Sequence, residues 1–258
     1  MVALNPMLCQ AATIGQARVL FLSGEWVVER KLDGVRAYIE GGRLFDRRGV
    51  DITRKFPEFV GLEKVAAVLD GEIVAQSGEF NDVSGRMHLR DALKIRLSAK
   101  GCPARFVAFD MVSGEVWEKR WALLQRVYFH DGVPLWDWMR LVPSFVSLEE
   151  GWGKVLEGGW EGLVLKRRGS LYQEGKRSAD WLKVKSWSEV VATFTKLDVH
   201  NKGCRLETVD GRSVNVNGAQ AEEVIERFNR VGVVLGEVQF LVQSGSVAWR
   251  FPSWRGLV

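Results

Sequence analysis

Short runs of β-branched and aromatic residues alternate with polar positions along the first three-quarters of the chain. Trp26-Val27-Val28-Glu29-Arg30 and Ala37-Tyr38-Ile39-Glu40 have strand composition, and Gly41-Gly42 is a turn signal, so residues 26–46 read as a β-hairpin. Residues 58–68 carry apolar positions at helical spacing and lead into a strand at 69–74. Residues 105–112 predict another strand. Residues 117–130 predict a helix with Trp117, Trp121, Leu124 and Val127 or Tyr128 on one face. Two more strands follow at 162–167 and 181–185.

After Ser186 the texture changes. Short strand patterns at 190–197, 204–209 and 212–216 precede a helical pattern at 219–230, and strands at 233–243 and 246–251 close the chain. Five short strands with one helix predict a small Greek-key barrel such as the OB-fold, with a two-layer α+β subdomain as the alternative. The fold class is therefore α+β, with a boundary near residues 186–189 that divides the chain into domains 1–187 and 188–258.

Composition narrows the classes. The 258 residues hold 47% apolar and 26% charged positions, as soluble globular chains do. No apolar run reaches the length of a membrane span, and the first basic residue is Arg18, so no signal-peptide pattern opens the chain. The expectation is a cytoplasmic protein without membrane contact. Cys9, Cys102 and Cys204 stand apart with no zinc spacing and read as reduced thiols. From Glu189 onward basic and acidic residues balance at 8 each, against 28 basic and 24 acidic before it. The positive surplus lies where a phosphate-binding surface would be needed.

One segment carries candidate chemistry. In Lys31-Leu32-Asp33-Gly34-Val35-Arg36 a lysine ends a strand beside a glycine turn and an arginine. Neighbouring positive charge and desolvation lower a lysine's proton affinity, and the free amine can attack the α-phosphate of a nucleotide. A surface hairpin with a plain Asp33-Gly34 turn is the bland alternative.

The segment has company. Glu29 to Arg36 (E-R-K-L-D-G-V-R), Phe45-Asp46-Arg47-Arg48 with Thr53 and Lys55-Phe56-Pro57, Asp70-Gly71-Glu72, Phe106 to Asp110 (F-V-A-F-D), Glu161 to Lys166 (E-G-L-V-L-K), and Tyr172 with Gly175-Lys176-Arg177-Ser178 and Trp181 to Lys185 (W-L-K-V-K) follow one another. In content and order these six motifs resemble those of the ATP-dependent DNA ligases, within the covalent nucleotidyltransferases. Asn5-Pro6-Met7-Leu8 is similar to the start of that family's catalytic domain.

The resemblance implies a nucleotidyltransferase domain of mainly antiparallel sheets followed by an OB-fold. It implies a monomeric enzyme that seals nicks in duplex DNA through a lysyl-AMP and a DNA-adenylate, with ATP as AMP donor and Mg²⁺ as the ion. It implies Lys31 as nucleophile, Glu29 as acceptor for the adenine amine, and Phe109 stacked on the base. Arg36, Lys166, Lys183 and Lys185 would surround the phosphates. Glu72, also near the ribose, and Glu161 would hold the metal. Arg47, Arg48 and Arg177 would contact DNA, Arg47 at the 5′-phosphate of the nick. Arg86, Arg90, Lys94 and Arg96 are further candidates for the duplex backbone, a solvated helix face being the alternative.

The resemblance is incomplete at the end. Arg250-Phe251-Pro252-Ser253-Trp254-Arg255 matches the opening of the family's last motif, but its acidic-basic ending is absent, leaving Arg250 and Arg255 as basic candidates there. The rivals are an RNA ligase or capping-type nucleotidyltransferase, and a non-catalytic nucleic-acid-binding protein of the same fold. The arginine of K-L-D-G-V-R and the K-R-S…W-L-K-V-K segment favour a DNA ligase over the first. Intact Lys31, Glu72, Glu161, Lys183 and Lys185 argue against the second.

Overall fold

A computed structural model describes residues 4–241 and 249–258. In chain order its elements begin with β1 (Leu8–Ala11), α1 (Ile14–Phe21), β2 (Trp26–Lys31), β3 (Val35–Glu40), β4 (Arg43–Asp46), β5 (Leu69–Ala75), α2 (Phe80–His88) and α3 (Ala92–Gly101). There follow β6 (Ala104–Met111), α4 (Trp117–Tyr128), β7 (Phe129–His130), β8 (Val133–Pro134), β9 (Met139–Leu141), β10 (Ser144–Phe145), α5 (Leu148–Gly158), β11 (Gly162–Arg167) and β12 (Arg177–Lys185). The last part holds β13 (Trp187–His200), β14 (Gly203–Thr208), β15 (Ser213–Asn217), α6 (Ala219–Val231), β16 (Val234–Leu241) and β17 (Arg250–Leu257). No helix among the described residues is long and apolar enough to cross a membrane.

The chain divides into two compact units, one of residues 1–152 and 162–184, the other of 153–161 and 185–258. The first is built on two five-stranded sheets, ordered β1-β12-β11-β2-β10 and β4-β3-β5-β6-β9. Only the β1–β12 and β6–β9 pairings are described as parallel; the other described ladders of this unit are antiparallel. The larger core packs Ile39, Leu69, Ile73 and Phe106 of the second sheet against Phe56, Phe59, Leu124 and Trp138. Burying such side chains contributes roughly 1.5–3 kcal/mol each.

The predicted turn at Gly41-Gly42 forms and joins β3 to β4, as Ala37↔Asp46 and Glu40↔Arg43 pairing shows, but the strand at 26–30 is not part of that hairpin. Strand β2 does not share that ladder; it pairs with β11 and β10 in the other sheet. Leu32, Asp33 and Gly34 therefore carry the chain from one sheet to the next. Gly34 permits the crossing, because a Cβ there would lie 2.1 Å from the Ile73 carbonyl oxygen, a distance no side chain tolerates.

The helix expected at 58–68 does not form either. Phe59, Leu62 and Val65 are buried as the spacing demands, but a short 3₁₀ turn at Leu62–Lys64 suffices to turn them inward. Gly61, with φ at 80°, stops an α-helix. Helices α1, α2, α3 and α5 and strand β1 lie outside the predicted elements.

In the second unit β15-β14-β13-β16-β17 form one antiparallel sheet. Its edge strands β15 and β17 return to within 8 Å of each other between Cα atoms. This curled sheet with one helix between its third and fourth strands is an OB-fold. Phe194, Leu206, Val216, Val234, Val238 and Trp254 fill it, and α6 adds Ala221 and Val224. Residues 246–248 of the strand predicted at 246–251 lie outside the described residues.

Candidate active site

Strand alternation builds the site. On β2 and β11, Glu29 faces Val164 and Lys31 faces Gly162, with Lys166 opposite Val27. Directly opposed residues share a sheet face, as do residues two apart. Glu29, Lys31, Val164 and Lys166 therefore project together. In the other sheet Arg36 opposes Glu72 and Glu72 opposes Val107. These faces supply a pocket lined by Cys9, Glu29, Arg30, Lys31, Leu32, Arg36, Glu72, Phe109, Val164, Lys166 and Trp181. Six of the eight residues expected to bind nucleotide thus come together.

A β-bulge completes the wall. Gly71 pairs with Ala108 but Asp70 pairs with Asp110, so Phe109 is an extra residue in β6. The bulge breaks alternation and lets two consecutive residues serve one side. Lys166 Nζ donates to the Phe109 carbonyl and lies 3.5 Å from Asp110 Oδ2. The Phe109 ring is half-buried, meets Trp181 edge-on at 6.1 Å, and has the Arg36 guanidinium 4.7 Å from its centroid.

Charges in the pocket are largely compensated within the protein. Glu29 Oε2 is 2.9 Å from Lys166 Nζ, and both residues are buried. The second oxygen, Glu29 Oε1, is buried with no hydrogen-bond partner, which costs on the order of 1–3 kcal/mol and is rare without a functional reason. Burial pushes the Glu29 carboxyl up from 4.5 to about 7, although Lys166 pulls the other way. Burial works against the Arg36 charge, but Asp70 outweighs it and raises the proton affinity. The pairing is bidentate, Nε to Oδ1 at 2.7 Å and Nη2 to Oδ2 at 2.6 Å, and Nη2 also donates to the Met7 carbonyl. Tyr172 donates to Asp70 Oδ2 at 2.6 Å. Burial also raises the Cys9 thiol despite Arg36, Lys166, Lys31 and Lys183 nearby.

The remaining expected residues fall elsewhere. Lys183 stands beside Ala11 at the β1–β12 ladder and is not among the lining residues. Lys185 is paired with Glu161 at 3.1 Å, both in the second unit. Among the described residues no three His, Cys, Asp or Glu side chains converge as a metal cage. Arg47 and Arg48 are exposed on the turn after β4. Asp46 shapes that turn by accepting the backbone N–H groups of Arg48 and Val50 through Oδ1. Arg177 is exposed and donates to the Cys9 carbonyl at 2.5 Å. Arg86 is corrected outright: it is fully buried, ion-paired with Glu58 and bonded to Ser98 and the Cys102 carbonyl. Arg90, Lys94 and Arg96 are exposed. Arg255 donates to Gln239, and the Arg250 side chain lies outside the described part.

Sequence reasoning gave no role to Asp70, Asp110, Arg120, Tyr172 or Trp181, which hold the pocket residues. Asp70, Asp110, Tyr172 and Trp181 stand inside the quoted motifs, so a signal existed. Arg120 had none beyond its place on the buried face of α4.

Two sheets with a lysine where the chain crosses between them, together with a chain-terminal OB-fold, define a nucleotidyltransferase. Residues 6–185 match the family model of the ATP dependent DNA ligase domain. The chain belongs to the ATP-dependent DNA ligase family. A probable DNA ligase of Anaeromyxobacter dehalogenans is 33% identical over 204 residues, covering 70% of this chain and 38% of that protein. The DNA ligase of Pyrobaculum neutrophilum is 32% identical over 200 residues, covering 70% and 34%. The chain thus spans about a third of the length of these curated relatives. A structure from a study of Lig E DNA ligases superposes with a TM-score of 0.72 at 24% identity, over 97% of this chain and 98% of that one. Mycobacterial DNA ligase D complexed with ATP and MES gives 0.58 at 22%, over 99% and 95%. These likenesses establish the fold.

Proposed function

We propose that this protein seals 5′-phosphate/3′-hydroxyl nicks in duplex DNA with ATP as AMP donor. The observation that carries the reading is Lys31 on the wall of a pocket whose buried Glu29 oxygen awaits a donor. An adenine amine would satisfy that oxygen, and the half-buried Phe109 ring offers a stacking surface. The Lys31 amine attacks the α-phosphorus of ATP, forming an N–P bond as the bond to pyrophosphate breaks. The AMP then passes to the 5′-phosphate of the nick, freeing Lys31. Attack by the 3′-hydroxyl forms the phosphodiester and expels AMP.

Among the pocket residues, Glu72 is the carboxylate suited to Mg²⁺, which protein sites often hold through one or two carboxylates and the substrate's phosphates. When bound, the ion supplies charge stabilisation at the phosphoryl group. Lys31, Lys183 and the partly compensated Arg36 bring positive charge to the same region. Exposed Arg47 and Arg48 suit the DNA backbone, since a guanidinium meets phosphate bidentately. Incubating the protein with labelled ATP and Mg²⁺, then with nicked DNA or nicked RNA, tests the reading. Transfer of label to Lys31 and joining of DNA is expected; labelling without joining of either duplex would reject it.

Two further outcomes follow. Glu29 accepts the base amine more strongly when ionised, and burial pushes its carboxyl up to about 7 in the fold. ATP should therefore bind more tightly as pH rises from about 6 to 8, by roughly 3- to 10-fold. In stability terms the sign is opposite: the raised carboxyl favours the fold below 4.5 and loses that contribution as pH passes about 7. Titrating ATP binding in Glu29→Gln isolates the carboxyl from the ionisation of ATP; an unchanged pH profile in that variant rejects the assignment. Arg47→Ala should still take up AMP but seal nicks at least about 10-fold more slowly, the loss of one charged phosphate contact. Equal slowing of both steps, by single-turnover measurement, would assign Arg47 to the nucleotide.

A further inference from the structure

A chain of four buried charges connects the pocket to α4, which contributes nothing to its lining. Glu29 Oε2 sits 2.9 Å from Lys166 Nζ, and Lys166 Nζ 3.5 Å from Asp110 Oδ2. Asp110 accepts Arg120 Nε at 2.7 Å through Oδ1 and Nη2 at 3.2 Å through Oδ2. Arg120 Nη1 donates to the carbonyls of Glu115 and Ser170, at 2.8 and 2.7 Å. None of the four residues is more than 2% exposed. Neither Asp110 nor Arg120 lines the pocket.

The arrangement fixes where the lysine's charge lies. Lys166 Nζ donates to the Phe109 carbonyl, pairs with Glu29 Oε2 and stands within ion-pair range of Asp110 Oδ2. With the ammonium drawn to these three groups, Glu29 Oε1 is left without a partner.

We propose that Asp110 and Arg120 are positioning residues for base recognition: Arg120 clamps Asp110, the Asp110 charge draws the Lys166 ammonium away from Glu29 Oε1, and that oxygen is thereby kept open for the base amine. The proposal rests on the nucleotide-binding reading above. In Asp110→Asn the lysine loses a charged neighbour and settles over both Glu29 oxygens, so Oε1 competes less well for the base amine.

The test compares ATP with purine riboside triphosphate, which lacks the exocyclic amine. The wild-type protein should transfer the adenine nucleotide to Lys31 with a kcat/KM about 10- to 100-fold above the analogue, as expected for a hydrogen bond to a charged group, expressed mainly in KM. In Asp110→Asn the preference should fall below about 5-fold, with the analogue handled much as before. Arg120→Met strands a buried carboxylate and can unfold the protein, so Asp110→Asn/Arg120→Met, which removes both charges, carries the same expectation. A merely structural role would slow both nucleotides alike; an unchanged preference in the variants therefore overturns this proposal and leaves the nucleotide-transfer reading standing. Wild-type protein that takes up the two nucleotides equally would also overturn it. Wild-type protein that takes up neither would overturn both.

Discussion

Lys31→Ala should form no covalent adduct with AMP, a loss of at least about 10³-fold in self-adenylation, as expected when a covalent nucleophile is removed. Lys31→Arg should fail equally, because a guanidinium keeps its proton and offers no free lone pair for attack. The strand holds this amine in place: Lys31 ends β2 opposite Gly162, whose lack of a side chain leaves the cross-strand position open. The same variant should still join a nick that already carries AMP, since that step needs no new bond to lysine. Intact-mass measurement after incubation with ATP and Mg²⁺ reads the first half, and joining of a pre-adenylated nick reads the second. An AMP adduct on Lys31→Ala protein would move the nucleophile to another lysine.

The largest stability effect should come from Asp70. Its carboxylate is inaccessible to solvent and binds three groups, Arg36 Nε, Arg36 Nη2 and the Tyr172 hydroxyl. Burial and then the Asp70 charge hold the Tyr172 hydroxyl protonated far above its ordinary range, so it stays a donor at every working pH. Asp70→Ala leaves a mostly buried guanidinium without its counter-charge, which costs about 3–5 kcal/mol. A domain of this size should lose about 6–20 °C in Tm. Asp70→Ala/Arg36→Met, which removes the stranded charge as well, should recover part of that loss. Thermal unfolding followed by circular dichroism measures both, and a drop of less than about 3 °C in the single variant would show that Asp70 does not anchor Arg36 and Tyr172.

What the sequence made legible, and what it hid, follows from the range of the interactions. Strands β5, β6, β11 and β12 were readable because alternation and β-branched composition act locally. The pairing partner of β2 was not, because a glycine turn looks the same whether it closes a hairpin or, as at Gly34, lets the chain pass under Ile73 into another sheet. The helix at 58–68 failed because three apolar residues at three-residue spacing suit a 3₁₀ turn as well as an α-helix. Helix α1 carried its own signal in Thr13 and Gln16, whose reciprocal capping box begins it. The site was legible through its motifs, down to Lys31, Glu29, Phe109 and Glu72 around one pocket. Arg86 and Arg120 were misread or missed for one reason. Each is a basic residue on the inward face of an amphipathic helix, where charge suggests solvent until an acid is known to wait opposite it.

The pocket's polar wall is fixed by pairing frame, since Glu29, Lys31, Val164 and Lys166 share a face through the β2–β11 register. A shift of one residue along that ladder would send the whole set to the opposite side. Evolutionary drift is therefore constrained unequally. Residue types can wander widely provided the spacing within each strand is kept, whereas an insertion or deletion inside β2 or β11 would abolish the chemistry in a single event. Length changes should accumulate instead in the hairpin at 129–134 and the turn at 209–212, which belong to neither strand.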